Sequence, residues 1–379
     1  MTGSFIPRMA AKYSGQSKQI SEFQGHKLSE KIAGHVAWQS PSNIALIKYW
    51  GKLPGQIPAS PSVSMTLSRS FTLMKVRFSA AQPGRGKLGS YTFEGREHAD
   101  FAGRIKTYLE GIASLYPFLA DLDLFIESSN SFPHSAGIAS SASSMSALAL
   151  CLTTIEQMLL DSPSGDDSFF RKASYAARLG SGSAARSVYP GYVLWGRHKE
   201  IPDSANEFAV SLNERVHRDF REMKDSILIV DDAPKKVSSS AGHSLMSENP
   251  WAAVRYRQAG DAAARMIGVL ESGDMEEFVK MVEKEALTLH SLMMTSDPPF
   301  VLMKPGTLAV IEKVRSFRKD TGIPVAFTLD AGPNVHLLYP ASFSEKVRQL
   351  ISAELLGHCC TPEWIDDLGG TGPRLISKG

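Results

Sequence analysis

Apolar and polar or small positions alternate with a period of two over residues 62–67 and 71–78, the pattern of half-buried strands. Shorter β-prone runs lie at 36–40, 91–94, 122–127, 192–195 and 226–230. Pro41-Ser42-Asn43 reads as a turn closing the first of them. A helical period takes over at 101–119, where Phe101, Ile105, Leu109 and Ile112 share one side. Further helices are predicted over 138–160, 169–179, most of 251–295, 307–319 and 343–356. Strands at 325–329 and 335–338 flank the turn Asp330-Ala331-Gly332-Pro333-Asn334, and the Gly-rich tail at 369–375 reads as an edge strand. Early strands with two helices, then a helix-rich half with its own strands, predict an α+β chain of two lobes. The boundary is expected between Gly196 and Ser226, and no internal repeat interrupts the pattern.

At 379 residues the chain exceeds the size at which one core keeps growing, which agrees with two lobes. A net charge of +2 argues against a nucleic-acid partner or an anionic membrane surface, while leaving room for a local anion site. Cys151, Cys359 and Cys360 form neither a disulfide framework nor a zinc spacing, which suits a reducing cytoplasm. No stretch reads as long and apolar enough to span a membrane, and the polar first thirty residues read as a flexible extension without a leader pattern.

Four segments carry candidate chemistry. Ser131-Phe132-Pro133-His134-Ser135-Ala136-Gly137-Ile138-Ala139-Ser140-Ser141-Ala142 follows a predicted strand and opens a long helix. Its small side chains would let phosphate oxygens reach backbone N–H groups at a helix N-terminus, although a close-packed helix start fits the same residues. It is neither a Walker loop nor the dinucleotide glycine pattern. In Asn43-Ile44-Ala45-Leu46-Ile47-Lys48-Tyr49-Trp50-Gly51-Lys52, two lysines bracket two aromatics, suited to phosphate or simply to a strand end with solvated charges. Gly180-Ser181-Gly182-Ser183-Ala184-Ala185-Arg186-Ser187 places hydroxyls and an arginine on one turn, where Arg186 could clamp a carboxylate or Ser183 merely cap a helix. Asp330 sits at a strand end before a tight turn, as a base aimed at a hydroxyl or as a turn-former. Together they make the inventory for phosphoryl transfer to an anionic substrate.

In this order, the segments from Asn43, Gly180 and Asp330 resemble the signatures of the diphosphomevalonate decarboxylase branch of the GHMP kinase superfamily. The loop from Pro133 to Ala142 is similar to that of the wider superfamily, and the resemblance runs from about Val36 to the C-terminus. It implies an extension over 1–35, an N-terminal ATP-binding lobe of ribosomal-protein-S5-like fold over 36–222, and a C-terminal α/β-sandwich lobe over 223–379. It further implies ATP-dependent phosphorylation of the C3 hydroxyl of 5-diphosphomevalonate, then loss of phosphate and CO2 to give isopentenyl diphosphate. Asp330, Arg186 and Lys48 would be catalytic, with Arg186 on the substrate carboxylate. Tyr49, Lys52, Ser181, Ser183 and Ser239 would bind substrate. Pro133, Ser135, Gly137, Ala139, Ser140 and Ser141 would bind ATP, with Ser141 a candidate Mg2+ ligand. A cytoplasmic homodimer is what the resemblance suggests.

Two departures bear on the substrate's phosphates. Lys52 is followed by Leu53-Pro54-Gly55 where the family usually carries an acid and an Asn-bearing loop. Ser240 stands where many bacterial members have arginine, and His243 where methionine is common. His243 reads as a surface residue, or as a partly charged donor replacing that arginine. The alternatives are phosphomevalonate decarboxylation, a mevalonate 3-kinase that stops at phosphorylation, and a non-catalytic ligand-binding regulator.

Overall fold

Strand β1 (Ala33–Ile47) and strand β4 (Ser62–Ala80) form the central antiparallel ladder of the first sheet. They belong to a computed structural model that describes residues 32–133, 138–160, 166–199, 201–233 and 239–379. The turn expected at 41–43 is instead continuous strand: β1 passes through Pro41, and the register shifts between Pro41 and Asn43. Proline lacks an N–H for the ladder, and a bulge accommodates it without ending the strand. The two strands expected at 62–67 and 71–78 are likewise one. Across the polar break, the N–H groups of Ser68, Arg69 and Ser70 donate to the buried Asp367 carboxylate at 2.9, 2.8 and 2.7 Å.

Strands β7 (Leu122–Asn130) and β8 (Tyr192–Trp195) flank β4, β5 (Leu88–Phe93) lies parallel to β7, and β6 (Arg96–Glu97) and β9 (Ala209–Ser211) are edges. The eighth strand, β14 (Arg374–Lys378), returns from the far end of the chain to pair with β1. The second sheet is antiparallel, in the order β11 (Ala326–Thr328), β12 (Val335–Pro340), β10 (Met223–Leu228), β13 (Ile365–Leu368). A small hairpin, β2 (Lys52–Leu53) and β3 (Ile57–Pro58), was not predicted, nor were β9 and β13.

Among the described residues the α-helices are α1 (Ala99–Gly111), α2 (Ser140–Leu160), α3 (Asp166–Gly180), α4 (Ser239–Ser244), α5 (Ala252–Ser272), α6 (Met275–Met294), α7 (Pro305–Thr321) and α8 (Ser344–Leu350). The helix expected over 101–119 stops early, and Pro117 opens a separate short 3-10 turn because proline cannot continue the α ladder. By length and composition α2 could cross a membrane, which corrects the sequence expectation. Here it is the central helix against the first sheet, with Ala147, Leu148, Ala149, Leu150, Cys151 and Leu152 all at 0% exposure. Its buried hydroxyls are satisfied: Ser143 bonds Thr72 at 2.7 Å and Ser146 bonds Ser40 at 2.6 Å. Helix α6 packs on both β1 and β11 and so ties the two sheets together. One apolar core lies between the first sheet and helices α1 to α3, and a second joins β1 and β4 to α5, α6 and the second sheet.

Candidate active site

Past Ile47, β1 leaves its ladder, and Lys48 turns inward with only 2% of its side chain exposed. Its Nζ forms an ion pair with Asp330 Oδ1 at 3.0 Å. Asp330 follows β11 at the start of the tight turn, where its carbonyl accepts from Gly332 N–H at 2.7 Å. Residues 282 positions apart are thus joined at the seam between the sheets. The turn is fixed from behind as well. Asn334 Oδ1 accepts from Val230 and Asp231 N–H at 2.8 and 3.0 Å, locking it to the end of β10.

Arg186 ends the 3-10 turn Gly182–Arg186 and is 2% exposed. Its guanidinium donates to Ser64 Oγ at 3.0 Å, Ser62 Oγ at 2.7 Å and Asn43 Oδ1 at 3.2 Å. All three acceptors are neutral, and no carboxylate pairs with it among the described residues. Burial lowers its pKa to about 10, opposed by the charge of Asp330 and by Tyr49, so it remains a cation at neutral pH. A desolvated cation without a counter-ion is a standing receptor for an anion. Gly182 permits this arrangement: a Cβ there would come within 2.7 Å of the Tyr49 hydroxyl and 2.9 Å of the Trp195 ring.

Lys48, Asp330 and Arg186 open into a cavity of about 750 Å³ that Tyr49, Lys52, Ser181, Ser183, Ala139, Ser140 and Ser141 also line. Ser141 and Ser181 hydroxyls lie 3.2 Å apart across it. Burial pushes the Tyr49 phenol up to about 12, against the pull of Arg186 and Arg178, so it stays a hydrogen-bond donor. Pro133 is exposed and does not reach the cavity lining. Ser135 and Gly137 lie outside the described residues; Ser239 begins α4, but its side chain lies outside them too.

His243 is half-buried rather than freely exposed, and it is not a cation. Its ring lies tilted against Tyr49 and Trp50, with centroids 4.3 and 4.6 Å away, and Nδ1 accepts from Gly51 N–H at 3.0 Å. Burial, with Lys52 and Arg186 nearby, drives its pKa down to about 3, so it offers a neutral Nε2–H to the cavity.

Several lining residues escaped the sequence reading. Tyr91, Phe93, Phe101, Arg104 and Tyr108 give the cavity an aromatic wall, with Phe101 edge-on to Phe93 at 5.6 Å and to Tyr91 at 6.4 Å. Ser62 and Ser64 did leave a signal: two hydroxyls on one face of a strand, both at 0% exposure. Behind the ion pair, His290 Nε2–H donates to the Asp330 carbonyl at 3.1 Å, and Glu285 and Arg255 bond the Lys48 backbone. These three sit in amphipathic helices, where charge ordinarily marks a solvated face.

Residues 40–206 match the family model for the diphosphomevalonate decarboxylase-like N-terminal domain, and residues 226–367 that for the mevalonate 5-diphosphate decarboxylase C-terminal domain. Among similar proteins, the diphosphomevalonate decarboxylase of Aspergillus fumigatus is 32% identical over 347 residues, covering 86% of this chain and 82% of that one. The Saccharomyces cerevisiae diphosphomevalonate decarboxylase is 30% identical over 324 residues, covering 81% and 78%. The crystal structure of mevalonate diphosphate decarboxylase from Staphylococcus aureus superposes with a TM-score of 0.77 at 27% identity, over 91% of this chain and 99% of that one. MDDEF in complex with MVAPP, AMPPCP and magnesium gives 0.75 at 25% identity, over 91% and 99%.

Proposed function

The chain belongs to the diphosphomevalonate decarboxylase family of the GHMP superfamily, and from that premise we propose how its cavity carries the reaction. The enzyme converts ATP and 5-diphosphomevalonate to ADP, phosphate, CO2 and isopentenyl diphosphate. The observation that carries the assignment of roles is Arg186, a buried cation held by neutral oxygens and facing a cavity that also holds the Lys48–Asp330 pair.

Asp330 accepts the C3 hydroxyl proton as the oxygen attacks the γ-phosphorus of ATP. Lys48, 3.0 Å from Asp330, pairs with that carboxylate and lies near the negative charge of the transferring group. Arg186 binds the C1 carboxylate with its guanidinium plane and fixes it relative to C3. The C3–O bond then breaks, phosphate leaves, and the electrons of the C1–C2 bond form the C2–C3 double bond as CO2 departs. The tertiary centre ionises readily, which leaves the protein mainly alignment and charge placement.

Tyr49, Lys52 and Ser239 contact the diphosphate of the substrate, and Ser181 and Ser183 lie beside its carboxylate. Ile138, Ala139, Ser140 and Ser141 border the ATP phosphates, and the aromatic wall at Tyr91, Phe93 and Phe101 receives the base. Among the described residues no cluster of three His, Cys, Asp or Glu could hold a metal. Ser141, whose hydroxyl lines the cavity beside Ser140, fits an ion carried chiefly by the nucleotide. Mg2+ bound there would neutralise phosphate charge. The two sheets support a division into lobes near residue 223, with β14 joining the first. A cytoplasmic homodimer completes the proposal.

With 5-diphosphomevalonate and ATP, ADP and CO2 should appear one for one, and Asp330→Asn should lower turnover by about a thousandfold or more. ADP without CO2 would overturn decarboxylation, and an unchanged Asp330→Asn rate would overturn the role of Asp330.

A further inference from the structure

The backbone of Lys48 lies beyond the end of β1 and has no strand partner for either of its polar groups. A buried ion pair supplies both. Glu285 Oε2 accepts from Lys48 N–H at 2.8 Å, and Arg255 Nη2 donates to the Lys48 carbonyl at 3.1 Å. Arg255 and Glu285 are themselves bonded bidentately, at 2.7 and 2.6 Å, with side chains 2% and 4% exposed. A pair this deeply buried is costly to form and is weak evidence for stability by itself. Its two free valences, however, converge on one peptide segment, that of the lysine whose ammonium meets Asp330.

The same helix reaches the other partner. Glu285 and His290 both lie on α6, and His290 is 1% exposed with its Nε2–H on the Asp330 carbonyl at 3.1 Å. Helix α6 therefore holds the backbone of both members of the ion pair, one from each sheet.

We propose that Arg255 and Glu285 are positioning residues that set the Lys48 ammonium against Asp330, acting on turnover through Lys48 alone. The inference rests on the reading of Lys48 and Asp330 given above. Neither residue lines the cavity, so neither touches substrate. Displacing a charged group by an ångström can cost about a hundredfold in rate while leaving ligand binding nearly intact.

The test is a double-mutant cycle between Glu285→Ala and Lys48→Met, read as kcat and KM for both substrates. We expect Glu285→Ala to lower kcat about 10- to 100-fold with KM changed less than about threefold. In the Lys48→Met background the same change should cost less than about threefold, since the group it positions is gone. Glu285→Gln, which keeps an oxygen for the Lys48 N–H, should recover a large part of the loss. Should Glu285→Ala fail to fold, Arg255→Met with Glu285→Leu replaces the pair by apolar side chains and enters the same cycle. Equal losses in both backgrounds, or a loss seen only in KM, would overturn the positioning role. An unchanged kcat for Lys48→Met would instead overturn the role of Lys48, and the two failures are distinct.

Discussion

Arg186 carries a charge that no carboxylate pairs with among the described residues. It trades hydration for three neutral acceptors, and burial holds its pKa down at about 10. Such a group serves ligand binding more than stability. Arg186→Met should therefore keep the melting temperature within a few degrees while CO2 release falls about a thousandfold, checked by a thermal scan beside the decarboxylation assay. His290 makes the opposite kind of prediction. Burial lowers its pKa to about 4, with the Asp330 carbonyl pulling upward and Lys48 pushing down. The unfolded chain, titrating near 6.5, then binds more protons than the folded one between pH 4 and 6.5, so stability rises with pH across that window. At pH 5 the cost is about 2 kcal/mol relative to neutral pH. Urea titrations of the wild type and His290→Gln at pH 7 and pH 5 should show a smaller acid loss in the variant.

At the scale of elements, what could be read in advance was whatever announced itself locally. Lys48 stood beside two aromatics and a glycine, Arg186 among small residues and Asp330 before a tight turn, while α2 and β8 showed as a long and a short apolar run. The continuity of β4 was hidden, because its polar interruption at Ser68, Arg69 and Ser70 is satisfied by Asp367, some three hundred residues away. Glu285, Arg255 and His290 were hidden for the same reason: a charge on an amphipathic helix looks solvated until a distant strand end covers it. Strands β9 and β13 are short and lack a pattern long enough to register. Helix α6, which holds the two sheets together, begins with a local signal that can be tested alone. Asp274 accepts from Glu277 N–H at 3.0 Å at its N-cap, with Glu276 and Glu277 in the first turn. Asp274→Ala should cost about 1 kcal/mol in denaturant unfolding and leave kcat unchanged, because the cap is remote from the cavity lining.

The whole molecule is closed by its last strand. β14 covers the outer edge of β1, pairing Val36 with Lys378, Trp38 with Leu375 and Gln39 with Arg374, and His35 and Gly379 exchange backbone bonds at 2.6 and 3.0 Å. Little apolar burial is at stake, since most β14 side chains are exposed. Its contribution is to occupy the outward N–H and C=O groups at the start of β1, the strand whose far end delivers Lys48. Such an edge, once uncovered, is a template for pairing with another chain. Removing residues 374–379 should therefore lower stability modestly, by about 1–3 kcal/mol for the lost ladder bonds, and leave the catalytic groups in place. The larger effect should be on association: light scattering should grow with protein concentration and time for the truncated chain and not for the full one. Gln39→Lys, at a half-buried ladder position that faces Arg374 in the full chain, should suppress that growth if edge pairing is its cause. Aggregation unaffected by the lysine would point to loss of the core beneath β1, and near-UV circular dichroism would then show it as lost side-chain packing around Trp38.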